Sequence, residues 1–182
     1  LRAQILEGAP VDVYASANMA NMDRIEAAGA AAGTPRIFAW NRLQIAVPRG
    51  NPAGVTGLAD LAREELLVGL CAREVPCGTF ARTALSRAGI VPAVDTEEPD
   101  VRALLTKVGL GELDAAVTYA TDVAASDAVD GIAIPGSLNV DATYPVVVLA
   151  GAPNPAVARA FVDHVLSAAG RASLARFGFL VP

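Results

Sequence analysis

The segment Val75-Pro-Cys-Gly-Thr79 combines a helix start signal with residues that are poor helix formers. Proline is tolerated at the first helical position, but a glycine inside a helix costs about 1 kcal/mol relative to alanine. The first N–H groups of a helix have no partner within it, and the helix dipole adds about half a positive charge there. Both features favour a small anion, and short side chains would let it reach the backbone. The residue types and their spacing therefore predict an anion-binding helix start.

Groups that could carry out catalysis are few. The chain has one histidine, His164, and two cysteines, which gives little support to a transition-metal site or a serine–histidine triad. It has no glycine-rich phosphate loop and no nucleophile elbow. Asp114 and Asp122 are a carboxylate pair, which we interpret as a strand-end cap and a surface residue. The sequence therefore favours a binding protein, and an enzyme on an α/β scaffold is the alternative that a turnover screen would test.

The composition is that of a globular protein, with 53% hydrophobic and 18% charged residues among 182. The net charge of −5 argues against a nucleic-acid partner, which requires a basic surface. No apolar run reaches the roughly 18–20 residues that span a bilayer. Residues 1–6 have a helical pattern without a cap, so we expect a chain whose natural N-terminus is missing. In that case the lack of a signal peptide says nothing about the compartment.

Strand and helix patterns alternate, which predicts an α/β fold with mainly parallel sheets. Asn18 is placed to cap a helix through about Ala28, and Pro99 and Asn154 begin two more. The apolar run 144–149 predicts a buried strand. Further strands are expected at 11–15, 36–41, 43–47, 66–70, 93–96, 113–118 and 131–134, and further helices at 2–7, 57–63, 76–89, from 119 onward and at 170–176.

Six short motifs follow one another along the chain. They are Leu6–Ser16 (LEGAPVDVYAS), Glu74–Ala81 (EVPCGTFA), Asp100–Arg102 (DVR), Asp114–Asp122 (DAAVTYATD), Tyr144–Val146 (YPV) and Phe177–Phe179 (FGF). In this order they resemble the molybdate-binding proteins of bacterial ABC importers, a family of type II periplasmic binding proteins. No single motif is specific, but the second, third and fourth together are fairly so.

The resemblance implies two α/β lobes joined by two crossover strands, with an oxyanion between them. The first lobe would hold residues 1–45 and 144–182, and the second lobe residues 46–143. Family members carry roughly 40 further residues before the position of Leu1, enough for a strand, a helix and a strand. That segment supplies two serine ligands in the family. The resemblance therefore implies an incomplete first lobe, weak or no ligand binding by these 182 residues, and self-association through the open first lobe.

The resemblance also implies the binding residues of the second lobe. The backbone amides of Cys77 and Val101 and the hydroxyl group of Tyr119 would donate hydrogen bonds to the oxyanion. Molybdate near neutral pH only accepts hydrogen bonds, whereas a phosphate that carries a proton would leave it unpaired. That mismatch costs roughly 1–3 kcal/mol, or one to two decades of affinity. Size must separate molybdate from sulfate, and the sequence alone does not separate molybdate from tungstate.

The implied function is capture of molybdate or tungstate and delivery to the membrane permease of an ABC importer, without enzymatic activity. Molybdenum would enter only as the oxyanion, and no cofactor is implied. The location would be extracytoplasmic, either periplasmic or lipid-anchored to the outer face of the cell membrane. Two alternatives stay open: a ligand-sensing effector domain of a bacterial regulator with the same fold, and a binding protein for another oxyanion such as sulfate.

Cys71 and Cys77 are separated by five residues, at a strand end and a helix start. An extracytoplasmic setting permits a disulfide between them. A loop this short would add roughly 2–3 kcal/mol of stability in the chain-entropy model and would fix the oxyanion loop. The alternative is a pair of buried thiols.

Overall fold

The structure is a computed structural model that describes residues 1–182. Its longest helices have 12 residues, and no helix is long and apolar enough to cross a membrane. The α-helices are α1 (Arg2–Leu6), α2 (Met19–Ala27), α3 (Pro76–Arg87), α4 (Val101–Gly109), α5 (Ala120–Ala124), α6 (Pro155–Leu166) and α7 (Ala168–Arg176), with a short 3-10 helix at Leu58–Ala62. The strands are β1 (Val13–Ala15), β2 (Arg36–Asn41), β3 (Leu43–Pro48), β4 (Val68–Cys71), β5 (Val94–Glu98), β6 (Ala115–Tyr119), β7 (Val129–Ala133) and β8 (Ala142–Val148).

The chain divides into two compact units. Unit 1 consists of residues 1–40 and 142–182, and unit 2 consists of residues 41–141. The sequence predicts boundaries after residues 45 and 143, and in the structure these positions lie inside β3 and β8. β3 belongs wholly to unit 2, because both strands that pair with it are there.

The core of unit 1 forms on both faces of β8, the central strand of a three-stranded sheet with the order β1-β8-β2. Because side chains alternate along a strand, Val147 lies on one face with Met22 and Ile25 of α2. Val146 and Val148 lie on the other face with residues of α6. The continuous apolar run of β8 therefore reflects burial on two faces.

Unit 2 contains a five-stranded sheet with the order β5-β4-β6-β3-β7. β4 pairs in parallel with β5 and with β6, whereas β3 pairs antiparallel with β6 and β7. β3 therefore runs against the other four strands. In unit 1, β1 and β8 are also antiparallel. The expectation of mainly parallel sheets is thus wrong for the β1–β8 pair and holds only for part of unit 2. Alternating strand and helix patterns do not reveal the direction of a strand that has no crossover helix before it.

α4 packs closely on the sheet of unit 2. At Gly69 in β4, a Cβ atom would lie 2.5 Å from Leu113 Cδ1 and 2.7 Å from Leu104 Cδ1. The glycine therefore makes room for leucine side chains, one of them on α4. Leu104 and Val108 of α4 are fully buried. This packing fixes the position of α4 relative to β4.

Asn139 continues the hydrogen-bond ladder of β3 with its side chain. Its Oδ1 accepts from Leu43 N at 3.0 Å, and its Nδ2 donates to Leu43 O at 2.9 Å. Leu43 pairs on its other side with Tyr119, at the end of β6. Asn139 is 6% exposed, so water does not readily replace these bonds. The Asn139 side chain thereby fixes β3, the strand in which Leu43 pairs with Tyr119.

We predict that Asn139→Ala destabilises the protein by about 2–4 kcal/mol, because it leaves the N–H and C=O groups of Leu43 buried without a partner. Urea denaturation followed by circular dichroism measures the change. Ser137→Ala is the matched control, since Ser137 is exposed and its side chain makes no hydrogen bond, and we expect a change within about 0.5 kcal/mol. Equal stability of the two variants would contradict the role given to Asn139.

Candidate oxyanion site

Three helices of unit 2 begin at one edge of its sheet. Because β4, β5 and β6 are parallel, their carboxyl ends lie together, and α3, α4 and α5 follow them in turn. The chain passes from β4 to β5 on one side and then to β6 on the other side of β4. In open α/β sheets such a reversal leaves a crevice outside the strand ends, where ligands bind. The topology therefore defines a candidate site at the ends of β4 and β6.

The start of α3 has no side-chain cap. Val75 occupies the N-cap position in an extended conformation, and Pro76 is the first helical residue. The first hydrogen bond of this helix runs from Thr79 N to Val75 O at 3.1 Å. The amides of Cys77 and Gly78 precede that bond, so the helix itself offers them no acceptor. A ligand at this edge meets two backbone donors and the positive end of the helix dipole.

The start of α4 has one donor already occupied. The carboxylate of Asp100 accepts from Ala103 N at 2.9 Å, and Leu104 N donates to Asp100 O at 3.2 Å. The amides of Val101 and Arg102 precede these bonds. Asp100 therefore satisfies the third amide of α4 and leaves the first two for another acceptor.

Tyr119 is the last residue of β6 and occupies the N-cap position of α5. It is 8% exposed, so most of the side chain packs inside unit 2. The structure thus brings all three residues that the resemblance implies, Cys77, Val101 and Tyr119, to the carboxyl edge of one sheet. Their role as oxyanion donors stays a prediction.

Packing explains why position 78 is a glycine, whereas the sequence suggested that a small residue here gives an anion access to the backbone. A Cβ atom at this position would overlap the carbonyl oxygens of Cys71 and Ala72. Gly78 is therefore required for the close approach of α3 to the end of β4. Thr79 directs its hydroxyl group to Arg73 O at 3.0 Å. The small residues at this helix start thus serve local packing and hydrogen bonding, and access of an anion is not needed to explain them.

The two cysteines lie at this edge as free, buried thiols. Cys77 Sγ donates to Val117 O at 3.5 Å, and the Cys71 and Cys77 side chains also contact each other. The structure therefore has two free, buried thiols in place of the expected disulfide. The contact with Cys71, followed by burial, raises the pKa of the Cys77 thiol, which keeps it neutral. A neutral thiol adds no negative charge beside the start of α3.

The charged groups around the edge are mostly paired. Arg73 and Arg82 both pair with Glu97, at 3.8 Å and 2.5 Å, while Glu74 is exposed and forms no ion pair. Lys107 Nζ lies 2.5 Å from Glu98 Oε1. Hydrogen bonds from Lys107 and then from Thr96 lower the pKa of Glu98, so this carboxylate stays ionised and compensated.

Asp114 and Asp122 have different surroundings. Asp114 accepts from Leu67 N at 2.8 Å, which confirms its interpretation as a cap at a strand end. Asp122 was interpreted as a surface residue, but it is partly buried, and desolvation raises the pKa of its carboxyl group. It forms no ion pair and no side-chain hydrogen bond within residues 1–182. No local sequence signal indicates this burial, because Asp122 becomes enclosed only when α4 and α5 pack side by side.

No group of three or more histidine, cysteine, aspartate or glutamate side chains in the chain could hold a metal ion. The available donors at the strand ends are amides and one phenol, which are neutral hydrogen-bond donors. Such groups suit an oxyanion that accepts hydrogen bonds at every oxygen.

Comparison with known proteins defines the class. A family model described as "Bacterial extracellular solute-binding protein" matches residues 1–180. The chain therefore belongs to this family of extracellular solute-binding proteins. The match confirms the family inferred from the six motifs, and it places the protein among binding proteins that act outside the cytoplasm.

Particular relatives are similar over the whole chain. The chain is 38% identical over 183 residues to the molybdate-binding protein ModA of Mycobacterium tuberculosis, covering 100% of this chain and 70% of that protein. The substrate-binding domain of a putative molybdenum ABC transporter from Clostridium difficile has a TM-score of 0.81 at 23% identity, covering 100% and 81% of the two chains. The periplasmic molybdate-binding protein of Azotobacter vinelandii has a TM-score of 0.81 at 19% identity, covering 100% and 83%. At these identities the two structures show the shared fold, and the predicted periplasmic-binding-protein fold is confirmed.

We predict that Gly78→Ala destabilises the protein by about 2–4 kcal/mol, because the added methyl group meets backbone oxygens that cannot move without shifting α3 or β4. Thermal and urea unfolding measure the loss. Gly136→Ala is the matched control, since a Cβ atom there has no neighbour within 4 Å. A neutral effect of Gly78→Ala would show that α3 does not need this close contact.

Proposed function

We infer that this protein captures molybdate outside the cytoplasm and delivers it to the membrane permease of an ABC importer. The observation that carries this inference is the 38% identity, along the full chain, to a molybdate-binding protein. The arrangement of unit 2 supports it, because the starts of α3 and α4 and the end of β6 meet at one sheet edge. Each of the three contributes a hydrogen-bond donor of the kind that a tetrahedral dianion requires.

The hydrogen-bond donors of the proposed site would favour a fully deprotonated oxyanion over one that carries a proton. The backbone amides at the starts of α3 and α4 donate hydrogen bonds and cannot accept them. The Tyr119 hydroxyl group would also act as a donor toward an oxyanion. A monoprotonated phosphate would need an acceptor for its own proton, and an unmatched buried polar group costs roughly 1–3 kcal/mol. We therefore propose that phosphate binds one to two decades more weakly than molybdate. Tungstate has the same charge and number of oxygens, so it should bind as a close substitute.

A protein that only binds and releases its solute does not need to catalyse a reaction. We therefore propose that this protein has no enzymatic activity. The strand-end site has donors for binding, whereas a hydrolase would need a nucleophile with a neighbouring base. The lone histidine, His164, lies on α6 of unit 1. The thiol of Cys77 has a raised pKa, caused first by contact with Cys71, and is a poor nucleophile at neutral pH.

The binding test is a titration with sodium molybdate, monitored by calorimetry and by amide chemical shifts in NMR spectra. We expect the amides of Cys77 and Val101 to shift most, and we expect tungstate to compete while phosphate does so only at much higher concentration. Shifts confined to other parts of the chain would contradict the site. No response to molybdate or tungstate at millimolar concentration, in a version of the chain that also carries the N-terminal segment of the family members, would contradict the function.

We predict that Tyr119→Phe lowers molybdate affinity by about 1–3 kcal/mol, which is roughly five- to 150-fold, because a charged acceptor loses one donor. The matched control is Cys77→Ala, which removes the thiol but keeps the amide and should bind with nearly unchanged affinity. Both are measured by the same titration, after equal melting curves show that the variants are folded. Unchanged affinity of Tyr119→Phe would remove Tyr119 from the site.

We also propose that the chain self-associates through β1. This strand lies at an edge of the sheet of unit 1, beside a groove of about 670 Å³ lined by residues of α1 and β1. An open strand edge is a template for pairing with a second chain. Light scattering after size-exclusion chromatography should show mass above 18.6 kDa that increases with concentration. A constant monomer mass up to millimolar concentration would contradict this proposal.

A further inference from the structure

Asp122 is a carboxylate without compensation at the candidate site. It lies in the first turn of α5, three residues after Tyr119. Two other carboxylates of this edge have partners, because Asp100 caps α4 and Glu98 pairs with Lys107, while Glu74 is exposed to water. Asp122 is partly buried and forms neither an ion pair nor a side-chain hydrogen bond, and desolvation raises the pKa of its carboxyl group.

Its position relative to the proposed donors follows from two observations. Asp122 and Val101 line the same groove of about 510 Å³ between α4 and α5. The charge of Asp122 also reaches the start of α3, where it adds to the raised pKa of Cys77 after the larger effects of the Cys71 contact and burial. The carboxylate therefore lies near both helix starts that would bind the oxyanion.

The neighbouring elements supply no cation that neutralises it. α5 packs against α4, β3, β6 and β7. The ionisable groups on or next to these elements nearest the site are Asp100 and Arg102 at the start of α4, Tyr119 on β6 and Asp130 on β7. Arg102 lines the same groove but is exposed and forms no ion pair, and Asp130 accepts from Gly50 N at 2.7 Å. β3 has no ionisable side chain.

We propose that the oxyanion binds together with one proton, which Asp122 takes up from solvent, so that Asp122 makes the affinity of this site depend on pH. The inference rests on the proposed function. A dianion beside an ionised carboxylate is repelled, and this repulsion is strong because the carboxylate is partly removed from water. Protonation of one carboxylate oxygen removes the repulsion and converts Asp122 from an acceptor into a donor, which matches the other groups of the site.

The sign of the dependence follows from linkage. The bound dianion favours the neutral acid, so binding raises the pKa of Asp122 above its value in the free protein, and by reciprocity a proton on Asp122 strengthens binding. Below the pKa of the free protein, Asp122 is already neutral and affinity is highest. Above it, affinity falls as pH rises, by at most about tenfold per pH unit for one proton. Affinity becomes constant again where Asp122 is ionised in the complex as well.

The experiment compares the molybdate dissociation constant of the wild-type chain and Asp122→Asn between about pH 5.5 and pH 8.5, a range in which the anion itself stays deprotonated. We expect the wild-type constant to increase about tenfold or more across this range. Asp122→Asn should bind with one affinity at every pH, close to that of the wild type at the acidic end. Glu112→Gln, which alters an exposed carboxylate before β6, is the matched control and should keep the wild-type dependence.

A second measurement counts the proton directly. Calorimetric titrations in two buffers with different ionisation enthalpies should show uptake approaching one proton per anion at neutral pH for the wild type, and none for Asp122→Asn. Melting curves verify that the variants are folded. Wild-type affinity that does not change with pH, or a pH dependence that persists in Asp122→Asn, overturns the inference but leaves the proposed function intact. Absence of molybdate binding at every pH, also in a version that carries the N-terminal segment of the family members, overturns the proposed function and this inference with it.

Discussion

The candidate site depends on one constraint, the parallel alignment of β4, β5 and β6. Parallel strands end at a common edge, so the helices that follow them all begin there. Gly78 also fixes the position of α3, because its missing side chain lets this helix begin directly against the carbonyl groups at the end of β4. The backbone donors of α3 and α4 are consequently held by the sheet itself and do not rely on a flexible loop.

The electrostatics of this edge follow from how each carboxylate is satisfied. The Asp100 carboxylate accepts a hydrogen bond from an amide of α4, and Glu98 forms an ion pair with Lys107, so neither adds an unpaired charge. The Cys77 thiol is neutral because contact with Cys71, and then burial, raises its pKa. Asp122 is the partly buried carboxylate of this edge that has no partner, whereas the unpaired Glu74 is exposed to water. A site built for a dianion therefore contains one acid whose charge opposes the ligand, and this contrast is why its protonation is coupled to binding in our proposal.

The local elements were predictable where their sequence signals are strong. Asn18 caps α2 with its side chain, and residues 144–148 of the apolar run lie in the buried strand β8. The helix predicted to begin at Pro99 begins at Val101, because Asp100 is its N-cap residue. The direction of β3 was not predictable, because antiparallel pairing leaves no mark on hydrophobic periodicity. The expected disulfide also failed, since spacing in sequence brings Cys71 and Cys77 together but does not decide between a covalent bond and a contact of two thiols.

The sequence by itself determined the family, the order of the elements and the residues proposed for the site, because motifs, caps and apolar runs are local signals. The tertiary structure decided which of these residues meet. Cys77, Val101 and Tyr119 belong to three strand–helix units and share one edge only because β4 lies between β5 and β6. It also decided that Gly78 packs against a backbone and that Asp122 is enclosed without a partner. Both depend on how closely separate helices approach the sheet and each other, a quantity set by packing in three dimensions.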